Sequence, residues 1–526
     1  MASKIMTAEE ALELLKDGDT LGVSGGGLRG NPDYLMMKLE EKFLNTKTPR
    51  DLTLYSVVGH GAFDHRGDSR IAYPGLIKKA VVTHPDTNTE LREMIGNEEL
   101  DCYILPQGVS VMLLRCIAHG QPGYITKVGL GTYCDPRNEG CKVNERTMKQ
   151  PDMVKVIELE GEEYLMYKPT PLDVVFIRGT TADENGNISI EHEANWIDYF
   201  ELANAARACG GKVIAQVKRI VKAGTIHPQQ VRVPGVMVDA VVVCQEWEKY
   251  HMQNDNTPYN DVFSGHIKVP FQKASASAEL KAPMNIIERR AAMELFPGAI
   301  VNLGWGIPGG IGAVAEAEDL IEELCLTVEM GVFGGVPGKF PNFGSVVNAD
   351  AVVSLPNMFD AYYGGILDVC FLGSAQVDPN GSTNLSKLDD RIIGPGGSMD
   401  ISTSSKKCVF CLGFTAKGVK QEVVDGKLRI IQEGSVKKFV NKLDQITFNG
   451  VIAGQKGKPV VYVTERAVFE LINGVLTLTE IAPGIDLEKD VLQQMEFTPA
   501  ISKDLKLMDA RVFVPGVMGI INDYKS

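Results

Sequence analysis

The chain has 526 residues, 44 % of them hydrophobic and 23 % charged, which is ordinary for a globular enzyme and too long for a single core. Its formal net charge of −14 argues against a nucleic-acid or anionic-membrane surface, although backbone dipoles can still hold a phosphorylated ligand. No apolar run reaches the roughly 18 residues of a membrane span, and MASKIMTAEEALELL reads as an acidic amphipathic helix rather than a targeting signal, so a cytoplasmic location is expected.

Ala8 to Lys16 is predicted helical and Thr20 to Val23 a strand. The loop from Ser24 to Asp33 contains Gly25, Gly26 and Gly27, and a helix from Tyr34 to Leu44 follows it. Strand, glycine loop and helix together form a phosphate-cradling arrangement, but the spacing is not that of the dinucleotide fingerprint. Leu52 to Val58 is the next strand. His60, Asp64, His65 and Asp68 in the loop after it match no standard metal-site spacing. Asp101 to Leu105 is a strand, and Val109 to Ala118 a helix. Between them stands Gln107, whose amide could donate to an oxyanion or simply bond locally. Lys127 to Tyr133 reads as strand-like, Asp173 to Ile177 as a strand, Ala203 to Ala208 as a helix and Val213 to Val217 as a strand.

The polar, irregular stretch from Glu246 to Pro283 separates two halves, with boundaries placed at 1–265, a linker at 266–284, and 285–526. The second half repeats the first. Asp173-Val-Val-Phe-Ile matches Asp368-Val-Cys-Phe-Leu, Asp183-x-Asn-Gly matches Asp378-x-Asn-Gly, and Lys212-Val-Ile matches Lys407-Cys-Val, each at a separation of 195 residues. Helix Ala291 to Phe296, strand Ala299 to Leu303 and loop Gly304 to Gly310 repeat the opening pattern. The expected fold class is therefore α/β, with two similar open domains, mostly parallel sheets, and a site between them.

Leu324 to Val328 has the composition of a strand buried on both faces. Glu329 follows at its carboxyl end, where open α/β sheets place their chemistry, and Gly331, Gly334 and Gly335 come next. Glu329 is the candidate covalent nucleophile; the alternative is an ordinary acidic residue ending a strand. Ile393 to Ile401 is a second glycine loop, whose Gly396 and Gly397 amides could supply another oxyanion donor or form a simple turn. Cys408 and Cys411 form a CxxC within a strand-like run, where their odd spacing puts them on opposite faces and disfavours zinc. Asn473-Gly474 marks a hairpin, and Glu465, the rival carboxylate, reads as a salt-bridged strand residue.

Taken together, SGGGLRGNP, PQG at Pro106 to Gly108, KVGLGTYCDPR, ERRAAMEL, VNLGWGIP, VEMGVFGGVP, GPGGSMDIS and TERAVF resemble the class I coenzyme A transferases of the fused, single-chain propionate/acetate type, essentially end to end. The resemblance implies Glu329 as nucleophile and Gln107 as oxyanion donor. It also implies Gly394, Gly396, Gly397, Gly25, Gly26 and Gly27 as substrate- and CoA-binding residues. It implies no metal and no cofactor, with acyl-CoA and small carboxylic acids as partners and a homo-oligomer, dimer or tetramer. Val328 and Met330 beside the glutamate, Ser398 after the second glycine loop and Gly27 in the first depart from the common family pattern. They bear on which acyl group is taken and leave the nucleophile in place. An acyl-CoA hydrolase on the same scaffold and a non-catalytic acyl-CoA binder remain open at this point.

Overall fold

The computed structural model describes residues 4–270, 280–338, 342–389 and 391–525. The centre of the predicted linker, residues 271–279, lies outside them.

Helix α1 (Ala8–Leu12) leads into a seven-stranded sheet made of β1 (Thr20–Val23), β2 (Leu52–Ser56), β3 (Ile77–Val82), β4 (Asp101–Ile104), β5 (Val174–Arg178), β6 (Lys212–Val217) and β7 (Ala240–Val243). Its order is β7-β6-β5-β1-β2-β3-β4, and every pairing is parallel. Every residue of β2 and of β5 is buried, the pattern of strands covered on both faces. Helices α2 (Asp33–Thr46), α3 (Gln107–Ala118) and α4 (Tyr199–Ala208) belong to this half.

After α5 (Met284–Ala292), a second sheet contains β8 (Ile300–Leu303), β9 (Cys325–Val328), β10 (Val332–Phe333), β11 (Ala351–Val352), β12 (Val369–Gly373), β13 (Lys407–Cys411), β14 (Val460–Val463), β15 (Ala467–Ile472), β16 (Val475–Ile481) and β17 (Ala500–Leu507). Among the described residues its order is β11-β10-β9-β8-β12-β13-β14-β15-β16-β17. Strands β9-β8-β12-β13-β14 are parallel neighbours, as β2-β1-β5-β6-β7 are in the first sheet. Helices α6 (Ile307–Ala317), α7 (Leu355–Tyr363) and α8 (Ser398–Ser404) belong to this half.

The repeat extends to individual hydrogen bonds. Asp173 accepts the Thr20 amide at 2.8 Å, and Asp368 accepts the Ile300 amide at 2.9 Å. Asp183 caps the amides of Asn185 and Asn187, and Asp378 those of Asn380 and Ser382. Each carboxylate locks one strand start or one tight turn by accepting backbone donors, so the same residue recurs for the same local reason.

Several elements depart from expectation. Lys127 to Tyr133 forms turns instead of a strand: Gly129 and Gly131 sit at φ +86° and +70°, and Asp135 accepts the Gly131 amide. The helix expected at Ala291 to Phe296 lies earlier, as α5, because the backbone tightens into turn bonds at Glu294 and Leu295 ahead of Pro297-Gly298. The Gly304 to Gly310 loop ends early: Gly306 reverses the chain at φ +84°, and Pro308 occupies the first turn of α6, where its missing N–H has no helical role. Likewise, α8 begins inside the predicted second glycine loop. Asn473 and Gly474 do join β15 to β16, at φ 51° and 78°. Glu465 is buried at a bend before β15, where it accepts the Phe414 amide and pairs with Arg466.

The polar stretch after β7 is more than a spacer. His251 is buried against Glu193, and Asn254 and Asp255 reach back to Arg29 in the first glycine loop. Among the described residues no helix is long and apolar enough to cross a membrane.

Candidate active site

Strand β9 delivers Glu329 to the rim of the second sheet. Its neighbour β8 pairs Asn302 with Thr327, so Asn302 stands one strand away, two residues below the glutamate. Thr327 donates to the Val301 carbonyl, and Tyr362 donates to Thr327 at 2.8 Å, which fixes the floor of the site with buried hydroxyls. Burial pushes the Glu329 carboxyl above its ordinary range. Hydrogen bonding from its own backbone and from Asn302, together with the charge of Arg29, acts in the opposite direction.

The turn carrying Glu329 is gripped from the first half of the chain. Val328, Met330, Val332 and Val346 form a small apolar cluster. The Met330 sulfur lies only 2.9 Å from where a Cβ on Gly26 would stand, and its methyl group crowds Gly344 in the same way. Asn195 donates to the carbonyls of Met330 and Gly344. Met330 therefore anchors the turn from beneath the glutamate.

Gln107 is the first residue of α3 and is 2 % exposed. Its backbone donates to the Gly396 carbonyl at 3.0 Å, although the two residues come from opposite halves. A Cβ placed on Gly397 would lie 3.4 Å from Glu329 Cγ and 3.5 Å from Gln107 Oε1. Gln107, Gly397 and Glu329 thus surround one small space. The Gln107 Nε2 and Asn302 Oδ1 atoms are buried and unpartnered among the described residues. A buried donor left without an acceptor is costly, and this one belongs to the side chain whose oxygen lies near the same Gly397 position as Glu329. The Gly397 amide also has no acceptor among the described residues.

Gly394 takes φ +86°, accepts from His84 and sits against the Thr83 carbonyl; it shapes the loop that Gly396 and Gly397 continue. The first glycine loop differs from its expected use. The Gly25 amide donates to Asp198, the Gly26 amide to Arg29 and the Gly27 amide to Gly59, so the three amides do not form a phosphate cradle. These glycines instead provide close approach: Gly26 to Met330, and Gly27 to Arg29 and Asp255.

The histidines and acids of the loop after β2 pair among themselves or with neighbours: His60 with Asp68, and His65 with Glu40 and Glu90. No group of three or more His, Cys, Asp or Glu is arranged to hold a metal among the described residues, and all ten cysteines are unpaired thiols. Asn302, Arg29 and Asp400 were not singled out by sequence reasoning. An asparagine inside the buried strand run IVNL was the available signal for the first.

Residues 5–244 match the sequence profile of the family described as coenzyme A transferase. The chain is 44 % identical over 519 residues to the caffeate CoA-transferase of Acetobacterium woodii, covering 97 % of each chain. It is 42 % identical over 522 residues to the acetate CoA-transferase YdiF of Escherichia coli K12, covering 98 % of this chain and 96 % of that one. The crystal structure of the acyl-CoA transferase YdiF apoenzyme from Escherichia coli O157:H7 superposes with a TM-score of 0.91 at 41 % identity, over 98 % of this chain and 97 % of that one. A second YdiF structure, described as a thioester complex with CoA, superposes equally well at 40 % identity, over the same shares of the two chains. With relatives this similar along its whole length, the chain belongs to the coenzyme A transferase family and is a CoA-transferase.

Proposed function

We propose that the enzyme moves coenzyme A between a short-chain acyl-CoA and a free carboxylate such as acetate or propionate, by a ping-pong route through a thioester on Glu329. The observation that carries this reading is the meeting of a half-buried carboxylate, Glu329, with the Gln107 side-chain amide around the space beside Gly397; the Nε2 of that amide is buried and unpartnered among the described residues.

A Glu329 oxygen attacks the acyl-CoA carbonyl, and the tetrahedral intermediate expels CoA thiolate, leaving an acyl-glutamyl anhydride. The thiolate attacks the glutamyl carbonyl and releases the first carboxylate, leaving glutamyl-CoA. The second acid then runs the same two steps in reverse. Each tetrahedral oxyanion is met by the Gln107 amide and the Gly397 N–H; one such donor is typically worth about 10²–10³ in rate. All bonds made and broken belong to carboxyl and thiol groups, so electrons and protons balance without a further cofactor. The apolar cluster around Met330 favours exclusion of water, which would hydrolyse the thioester. The acetate activity named for one relative and the thioester complex named for another support the same scheme.

The test is incubation with acyl-CoA, reduction with borohydride and peptide mass spectrometry. A mark on the peptide bearing Glu329 is expected. Exchange at the normal rate by Glu329→Gln would overturn the assignment, and CoA release independent of any acceptor acid would favour a hydrolase.

A further inference from the structure

Helix α3 presents Gln107 to the site, yet it has no cap of its own. Pro106 precedes it, with no side-chain acceptor, and no acidic residue lies in its first turn. The amides of a helix's first turn need acceptors from elsewhere. Here they come from the second half of the chain. The Gln107 amide donates to the Gly396 carbonyl, and the Gly108 amide donates to Asp400 Oδ2 at 3.0 Å. The other Asp400 oxygen accepts from the Tyr363 hydroxyl at 2.7 Å. Asp400 is 0 % exposed and lies in α8, the helix that starts directly after Gly397.

The seat is tight. A Cβ on Gly108 would stand 2.6 Å from the Phe359 ring and 2.8 Å from Asp400 Oδ1, so only glycine lets α3 come this close. A carboxylate is the side chain that accepts two donors on two oxygens and also favours a helix N-terminus. Among the described residues the groups acting on it are hydrogen-bond donors and no cation, and a buried carboxylate without one is costly to keep.

We propose that Asp400 is the positioning residue of the oxyanion site: by capping α3 from the opposite half, it fixes the Gln107 amide at a set distance from Gly397. It acts through Gln107 and touches no reacting atom. The inference rests on the reading of Gln107 as an oxyanion donor.

The test is a double-mutant cycle of Asp400→Asn and Gln107→Ala. Asparagine keeps the size but offers an N–H₂ where a second acceptor is needed. Because a small misplacement of a catalytic group can cost about 10²-fold, Asp400→Asn is expected to lower kcat on that order with KM nearly unchanged. In the Gln107→Ala background it should add little, because its target is gone. Tyr363→Phe removes one donor to the same carboxylate and runs the same cycle should Asp400→Asn fail to fold. Effects that multiply independently, or an Asp400→Asn enzyme with full kcat, would overturn the proposal. Undiminished kcat in Gln107→Ala alone would remove the reading of Gln107 and this inference with it, whereas the borohydride adduct on Glu329 would be unaffected.

Discussion

Asn195, from the first half of the chain, donates its side-chain amide to the backbone carbonyl of Met330, the residue after the candidate nucleophile, at 3.3 Å. The same nitrogen donates to Gly344 at 3.0 Å, and Asn195 is 2 % exposed. One buried amide thus ties the Glu329 turn and the separate turn at Gly344 to the other half. Asn195→Ala strands two buried carbonyls, and a loss of about 1–3 kcal/mol in denaturant unfolding is expected. The kcat should fall with it, since the turn loses its fixed position; a variant as stable and active as the parent would refute this.

Gly397→Ala separates folding from function. Gly397 has φ −85°, which any residue adopts, and the added methyl would meet Ile401 at 3.3 Å and Glu329 at 3.4 Å, with only small adjustment required. The melting temperature should therefore hold. The methyl nevertheless fills the space between Glu329 and Gln107, and a fall in kcat of about 10² or more is expected, as for loss of an oxyanion contact.

The pH dependence of stability follows from Glu329. Its carboxyl is raised by burial, so the folded state disfavours the ionised form. Below the ordinary carboxylate pKa both folded and unfolded chains are protonated and nothing is gained or lost. As pH rises through the unfolded and then the folded value, the chain loses stability, and the loss levels off above the folded value. Glu329→Gln lacks that titration. Its stability relative to the parent should rise across this window and then plateau, as read by denaturant unfolding at a series of pH values; a difference independent of pH would contradict it.

Arg29 works against that burial. It is 5 % exposed, pairs with Asp255 and lends its positive charge to the Glu329 carboxylate. Arg29→Met should raise the Glu329 pKa further. The acid limb of kcat/KM for acyl-CoA should move to higher pH, while a limb that stays in place would show that Arg29 has no electrostatic role.

Much of this was legible along the chain because its causes are local. The run from Leu324 to Val328 is a strand by composition, so Glu329 had to fall at its end. Asp173 and Asp368 recur because each strand start needs the same acceptor, which made the repeat visible at a constant separation. Asn473-Gly474 is a turn by its own backbone preference. The glycine loops were less legible. A glycine signals freedom or close approach without saying which, and the Gly25 to Gly27 amides proved to be engaged within the protein.

By itself, then, the sequence determined the α/β class, the two sister halves and the carboxylate at the sheet rim, since periodicity, turn chemistry and repetition act between near neighbours. Only the tertiary structure decided which donors meet that carboxylate. Gln107 and Gly396 lie far apart in the chain, as do Asn195 and Met330, or Gly108 and Asp400, and they are joined by hydrogen bonds across the two halves. Such pairings arise when the halves close and buried backbone groups must find partners, a requirement that leaves no periodic trace in the order of residues.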